Sequence, residues 1–127
     1  MLTSETLLSP GVAAGHEARD FVRDVLHDAQ LDHYHDAVEL LSTELVNNAV
    51  VHAAGAPTLR ITPCQEVVRV EVDDRSVDAP ILEIPDILSD CGRGLVLVAA
   101  IADDWGFEMR RNGKTVWFEI RGQSPTG

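Results

Sequence analysis

The sequence feature that most restricts the fold is a helical segment, roughly residues 34–53, whose apolar surface carries one polar stripe. Glu44, Asn48 and His52 lie four residues apart, and such positions drift by only about 40° around a helix, so they face the same space. Because most surrounding positions are apolar, these groups must be hydrogen-bonded or functional to offset their desolvation. The stripe points to a ligand, although the spacing alone leaves open that the side chains only bond to neighbouring backbone.

The remaining patterns predict a single α/β (α+β) domain over residues 1–127. An edge strand is predicted at residues 2–8, a helix at 12–29, a polar connector at 31–35 and a short apolar helix at 92–101. Two hairpins pair strands 58–63 with 66–73 and strands 104–110 with 114–121, the second through the turn Asn112-Gly113. We expect a two-layer sandwich, in which about three helices cover one face of a mixed, largely antiparallel sheet.

Residues 75–91 fit neither the helical nor the strand period and contain Pro80 and Pro85. A loop of this length inside a compact domain is either functional or disordered, and lids over ligand sites are a common functional case. We therefore interpret the segment as a long, mobile loop, and its composition leaves open whether it is functional or disordered.

Composition excludes several classes of protein. With 10 basic and 21 acidic residues, the 127-residue chain has a net charge of −11, which repels nucleic acids and anionic lipid surfaces. We predict no direct binding to nucleic acid or membrane. The sequence shows neither the roughly 18 consecutive apolar residues of a membrane helix nor a signal peptide, so a cytoplasmic location is the default. Cys64 and Cys91 are predicted to be free thiols, because neither a zinc pattern nor a secretory context accompanies them.

Three motifs follow one another along the chain: Glu44-Leu45-Val46-Asn47-Asn48-Ala49-Val50-Val51-His52, Val72-Asp73-Asp74-Arg75-Ser76 and Gly92-Arg93-Gly94-Leu95. Together they resemble the GHKL nucleotide-binding superfamily of gyrase, heat-shock chaperone, histidine kinase and mismatch-repair ATPases. Within it, the sequence is most similar to the stand-alone bacterial anti-sigma-factor serine/threonine kinases and their actinobacterial relatives. The resemblance covers nearly the whole chain and implies a GHKL-type ATP-binding fold, ATP and magnesium as cofactors, and an ATP lid at residues 75–91.

The first motif resembles the N box of this superfamily. The resemblance implies that Asn48 ligates magnesium through its amide oxygen, that Glu44 is the catalytic base, and that His52 lines the phosphate end of the pocket. Magnesium prefers hard oxygen ligands and retains most of its waters, so one amide and the nucleotide phosphates can hold it. A carboxylate one helical turn away can accept a proton from a nucleophile aimed at the γ-phosphoryl group.

The second motif implies that Asp74 reads the base of the nucleotide. An ionised carboxylate only accepts hydrogen bonds, so it selects the exocyclic amine of adenine over the carbonyl of guanine. The Asp-x-Gly-x-Gly pattern of the superfamily is altered here, because Ser76 and Asp78 replace its two glycines. Without the resemblance, paired acids at the end of a strand are read as a solvated turn.

The third motif implies a phosphate site at Gly92, Gly94 and Leu95, where a following helix would offer unpaired N–H groups to an anion. Arg93 adds a forked positive charge suited to a terminal phosphate or to an acidic partner residue. By the same resemblance, the hydroxyl of Thr115 on the last strand lies near the phosphates or the floor of the site.

The resemblance implies an ATP-binding anti-sigma factor that phosphorylates a serine or threonine on an antagonist protein. Its partners would be a sigma factor and that antagonist, and relatives often form homodimers. One alternative keeps nucleotide binding but not catalysis, so that ATP controls docking to a partner. Another is a structural interaction domain that binds no adenine nucleotide.

Overall fold

The computed structural model describes residues 2–52, 56–75 and 97–122, and within them five strands form one sheet. The strands are β1 (Ser4–Leu7), β2 (Thr58–Thr62), β3 (Val67–Asp74), β4 (Asp104–Arg110) and β5 (Gly113–Arg121). Their order across the sheet is β1-β2-β3-β5-β4, and all four neighbouring pairs among these described strands are antiparallel. The predicted edge strand and both predicted hairpins are therefore confirmed.

Helices cover one face of this sheet. Helix α1 spans Ala13–Asp28 and helix α2 spans His35–His52, and residues 97–101 are also helical. The two long helices pack on each other, and α2 packs on β3. As the helical period predicts, α1 turns one face into the core, with the buried residues Ala14, Ala18, Val22, Val25 and Leu26. These contacts confirm the predicted two-layer α/β fold.

The two faces of the sheet differ in chemistry because side chains alternate along each strand. On β3, Val68, Val70 and Val72 are at most 1% exposed and lie in the core beneath the helices. The intervening Arg69 and Glu71 lie on the outer face and take part in ion pairs. The predicted alternation of β3 is thus confirmed. It also indicates which face of the sheet each of the last residues of this strand occupies.

The connector between α1 and α2 is not the polar loop that the sequence suggested. It contains a short 3₁₀ helix, Asp32–Tyr34, and both Leu31 and Tyr34 are only 4% exposed. The Tyr34 hydroxyl donates a hydrogen bond to the backbone carbonyl of Gln65 at 2.9 Å. This contact joins positions 31 residues apart, so a local composition pattern could not reveal it.

The second hairpin forms where predicted, but its loop is shifted by one residue. Arg110 pairs with Gly113, so Arg111 and Asn112 form the loop and Gly113 begins β5. Gly113 lacks a positive φ, so no turn conformation requires this glycine. A Cβ atom placed on it would lie 2.0 Å from the backbone oxygen of Asp74. The glycine therefore permits the close approach of β5 to the end of β3.

Several predictions concern residues beyond the described ranges. Most of the predicted lid and the first half of the helix predicted at 92–101 lie there, as does Cys91. Cys64 is described and is a free thiol, as predicted. Among the described helices, none has the length and apolar character needed to cross a membrane.

Candidate functional site

The topology brings the C-terminal half of α2 to the end of the sheet at which β3 finishes. Only residues 53–57 separate His52 from Thr58, so the Cα atoms of these two residues lie at most about 22 Å apart. Thr58 pairs with Asp73 in the sheet, one residue before Asp74. The candidate residues of α2 and the candidate carboxylate of β3 therefore belong to the same end of the domain.

The three sides of α2 have different surroundings. Val38, Leu45 and Ala49 are at most 3% exposed and define its core side. On a second flank, the Asn47 Oδ1 atom lies 3.2 Å from the position that a Cβ on Gly15 of α1 would occupy, so that flank faces α1.

Glu44 and Asn48 lie on the third side of α2. At about 100° per residue, Asn48 points about 100° away from Asn47, and Glu44 lies between them, about 40° from Asn48 and about 60° from Asn47. Their side chains are partly buried, which places them at the edge of the core rather than in bulk solvent. Helix α2 ends at His52, whose side chain is not among those that the structure describes. The observed helix thus presents the acid and the amide together, one turn apart.

Asp74 continues the core-facing series of β3, because it follows Val72 by two residues. Its partner across the sheet is Lys114 of β5, whose Nζ atom lies 3.5 Å from Asp74 Oδ2. The two side chains are only 4% and 8% exposed, respectively. Sequence reasoning missed Lys114, because its place opposite Asp74 depends on the register between β3 and β5, which are not joined by a hairpin.

Thr115 does not join this pair. It is aligned with Asp73, and its hydroxyl donates a 2.6 Å hydrogen bond to Asp73 Oδ1 on the outer face of the sheet. The Thr115 hydroxyl therefore lies on the face opposite to that of Asp74, and its expected place near the phosphates or the floor of the site stays a prediction. The physical reason is the two-residue period of a strand, since moving one position along β5 exchanges one face for the other. On the face of the sheet that carries Asp74, the residue of β5 opposite it is Lys114.

Asp73 is the centre of a charged network on the outer face. The Arg60 guanidinium donates to both of its carboxylate oxygens, including a 2.7 Å bond from Nη2, and also pairs with Glu5 and Glu71. Burial acts to raise the pKa of Asp73, but the hydrogen bonds from Arg60 and Thr115 outweigh it, so the pKa lies below its ordinary value. The hydrogen bonds to Asp73 in turn raise the pKa of Arg60, against the opposing effect of burial.

This network predicts a loss of stability in acid. Because the pKa of Asp73 is lower in the folded chain than in the unfolded chain, its contribution is complete above about pH 5 and is lost as the pH falls below about 4. We expect Asp73→Asn to lower the free energy of unfolding by about 1–2 kcal/mol at pH 7. Urea unfolding at several pH values measures this difference, which should shrink steadily below pH 4. A difference that is constant from pH 7 to pH 3 would contradict the assignment.

The described residues suggest one way of binding magnesium, through an asparagine amide together with the phosphates of a nucleotide. Within residues 2–52, 56–75 and 97–122, no three His, Cys, Asp or Glu side chains are grouped so that they could hold a metal ion. A neutral amide such as that of Asn48 supplies one hard oxygen, and nucleotide phosphates can supply others. Among the described residues, this single donor fits a metal whose other ligands come from a nucleotide.

The remaining predicted site residues, Gly92, Arg93, Gly94 and Leu95, lie outside the described ranges, as do Ser76 and Asp78 of the altered motif. Of the candidate site residues, the described ranges therefore contain the side chains of Glu44 and Asn48 on α2 and of Asp74 and Thr115 on the sheet, with Lys114 opposite Asp74.

Solved structures share this fold. The chain superposes on the RsbU and RsbW domains of Rv1364c from Mycobacterium tuberculosis with a TM-score of 0.72 and 19% identity, covering 95% of this chain and 32% of that one. It therefore spans about a third of that chain. The catalytic domain of histidine kinase ThkA gives a TM-score of 0.53 at 16% identity, covering 95% of this chain and 96% of that one.

Histidine kinase AdeS from Acinetobacter baumannii gives a TM-score of 0.52 at 10% identity, covering 95% of this chain and 68% of that one. At these identities the structures establish the fold alone.

A search of curated proteins gives no match. The family model of the histidine kinase-like ATPase domain matches residues 9–120, which is most of the sequence. The chain therefore belongs to the histidine kinase-like ATPase domain family.

Proposed function

We propose that this chain is an ATP-binding anti-sigma factor that phosphorylates a serine or threonine on an antagonist protein. The observation that carries the proposal is the joint presentation of Glu44 and Asn48 on one partly buried flank of α2, in a chain that belongs to an ATPase family. The likeness to a protein with RsbU and RsbW domains supports a regulatory role. A cytoplasmic location, a sigma factor and the antagonist as partners, and homodimerisation are parts of the same proposal.

In this proposal the residues of α2 serve the phosphate end of the nucleotide. Asn48 would hold magnesium through its amide oxygen, and His52 would line the same end. Glu44 would accept the proton of the attacking hydroxyl group, which requires that the carboxylate be ionised and within hydrogen-bond reach of that group. Gly92, Arg93, Gly94 and Leu95 would bind the phosphates. The magnesium ion supplies charge neutralisation when it is bound.

Asp74 would read the base of the nucleotide at the other end of the site. Its position on the core-facing side of β3 supports this role, because a carboxylate there is largely screened from bulk water. Screening matters because an unmade hydrogen bond costs more where water cannot replace the missing partner. Taken by itself, such a carboxylate would therefore discriminate between bases better than an exposed one.

A non-catalytic ATP-binding module that controls partner docking is the second candidate. One observation favours it: Ser76 and Asp78 replace the glycines of the expected motif. Both candidates require nucleotide binding, and only the first requires phosphoryl transfer.

Calorimetric titration with magnesium-ATP tests the binding that both candidates share. We expect Asn48→Ala to weaken binding about 10-fold or more, in line with the loss of a metal ligand or its direct support. Asn47→Ala is the matched control, because it removes the same side chain one residue away on the flank facing α1. Equal affinities in the two variants would contradict the role of Asn48, and the absence of binding to the unmodified chain would contradict the proposal as a whole.

Transfer of label from ATP to a serine or threonine of a candidate antagonist then separates the two candidates. We expect label on the antagonist if the chain is a kinase. Nucleotide binding without transfer to any antagonist that forms a complex with the chain would favour the docking module.

A further inference from the structure

The ion pair between Lys114 and Asp74 changes what the base-reading end of the site can recognise. Lys114 is the only lysine in the sequence. It lies opposite Asp74 in the sheet, with Nζ 3.5 Å from Oδ2, and both side chains are at most 8% exposed. On its other side, Lys114 is aligned with Met109 of β4. The pairing of β5 with β3 and β4 therefore fixes the backbone of Lys114 beside the candidate base-reading carboxylate.

A carboxylate and an ammonium group offer opposite hydrogen-bonding properties. An ionised carboxylate only accepts hydrogen bonds, whereas a lysine ammonium only donates them. A carboxylate alone accepts from the amine of adenine and meets the carbonyl oxygen of guanine as a second acceptor. With the ammonium beside it, the carbonyl finds a donor, and the neighbouring ring N–H of guanine can donate to the carboxylate. Adenine is also satisfied, since its ring nitrogen can accept from the ammonium.

We propose that Lys114 is a specificity-determining residue that widens the nucleotide site from adenine to purine nucleotides in general. The inference rests on the proposed nucleotide site and names the class of base that the site accepts. Burial strengthens the effect, because a buried donor or acceptor left without a partner costs more than an exposed one. Lys114 thus removes the discrimination against guanine that Asp74 alone would impose.

The test measures the dissociation constants of magnesium-ATP and magnesium-GTP by calorimetry. For the unmodified chain, we expect the two constants to lie within about 10-fold of each other. In Lys114→Met, the ammonium donor is lost, so we expect GTP to be disfavoured relative to ATP by a further factor of about 10 or more. The ratio of the constants is the diagnostic quantity, because a general weakening of the site would change both.

Two matched variants control for charge. Arg111→Met removes the same charge from an exposed residue of the hairpin loop and should leave the ratio unchanged. Lys114→Arg retains a cationic donor and should keep the two nucleotides comparable. A thermal melt of each variant shows whether it is folded. If Lys114→Met does not fold, the ratio of the two dissociation constants in the unmodified chain and in Lys114→Arg still tests the inference.

The possible results separate this inference from the proposed function. Rejection of GTP by more than about 100-fold in the unmodified chain would overturn the inference while ATP binding remains. A folded Lys114→Met variant with the same ratio of dissociation constants as the unmodified chain would also overturn the inference. If neither nucleotide binds the unmodified chain, the proposed function fails and the inference fails with it.

Discussion

Replacement of Glu44 by glutamine is expected to lower phosphoryl transfer to the antagonist by about 100-fold or more, with little change in the affinity for magnesium-ATP. Glutamine preserves the length of the side chain but cannot accept the proton of the attacking hydroxyl group. A 100-fold loss corresponds to about 2.7 kcal/mol of transition-state stabilisation. The measurement is single-turnover transfer of label from ATP, together with calorimetry of each variant. Glu44→Ala should give a similar loss, since both variants lack the base.

Asp36→Asn is the control for the Glu44 variants. Asp36 is a fully exposed acid in the first turn of the same helix, so its neutralisation changes the charge of α2 without touching the candidate site. We expect normal transfer in that variant. If Glu44→Gln transfers label at the normal rate, Glu44 is not the base. If it loses ATP binding in parallel with transfer, its role is in binding rather than in proton transfer.

Replacement of Gly113 by alanine is expected to destabilise the fold by about 2–3 kcal/mol. The added methyl group would lie 2.0 Å from the backbone oxygen of Asp74 and 3.0 Å from the Cα atom of Arg75, so β5 and β3 must separate at this end. Because Asp74 and Lys114 face each other at the same point, we also expect weaker nucleotide binding. Urea unfolding gives the loss of stability, and calorimetry gives the loss of affinity.

Gly15→Ala makes the same substitution where the structure can accept it. A Cβ atom on Gly15 would lie 3.2 Å from Asn47 Oδ1, at the end of a side chain that can move. Alanine also favours helix over glycine by about 1 kcal/mol, so this variant should be as stable as the unmodified chain or more stable. Equal stability of Gly113→Ala and Gly15→Ala would contradict the close approach of β5 to β3.

The sequence predicted the elements of this fold because the signals for them are local. The alternation of Val68, Val70 and Val72 marked β3 as a strand with one buried face, and the helical period of residues such as Val22 and Leu26 marked the core face of α1. The family motifs on α2 and at the end of β3 were also visible, because they are fixed spacings within single elements. Their roles in binding and catalysis remain predictions.

The structure corrected the points that depend on contacts between distant segments. The burial of Tyr34 depends on a hydrogen bond to Gln65, and the function of Gly113 depends on the backbone of Asp74. A turn motif predicts that a hairpin forms, but the pairing of Arg110 with Gly113 decides which residues form its loop. None of these distances can be read from one stretch of sequence.

The sequence by itself determined the fold class, the family and the polar stripe of α2, because periodicity and motif spacing are properties of contiguous residues. Only the tertiary structure decided which side chains of β3 and β5 share a face. The register of those strands pairs Thr115 with Asp73 outside the core and Lys114 with Asp74 inside it. A shift of one residue exchanges the two faces of a strand, so this register, rather than residue type, fixes which side chain of β5 lies beside Asp74.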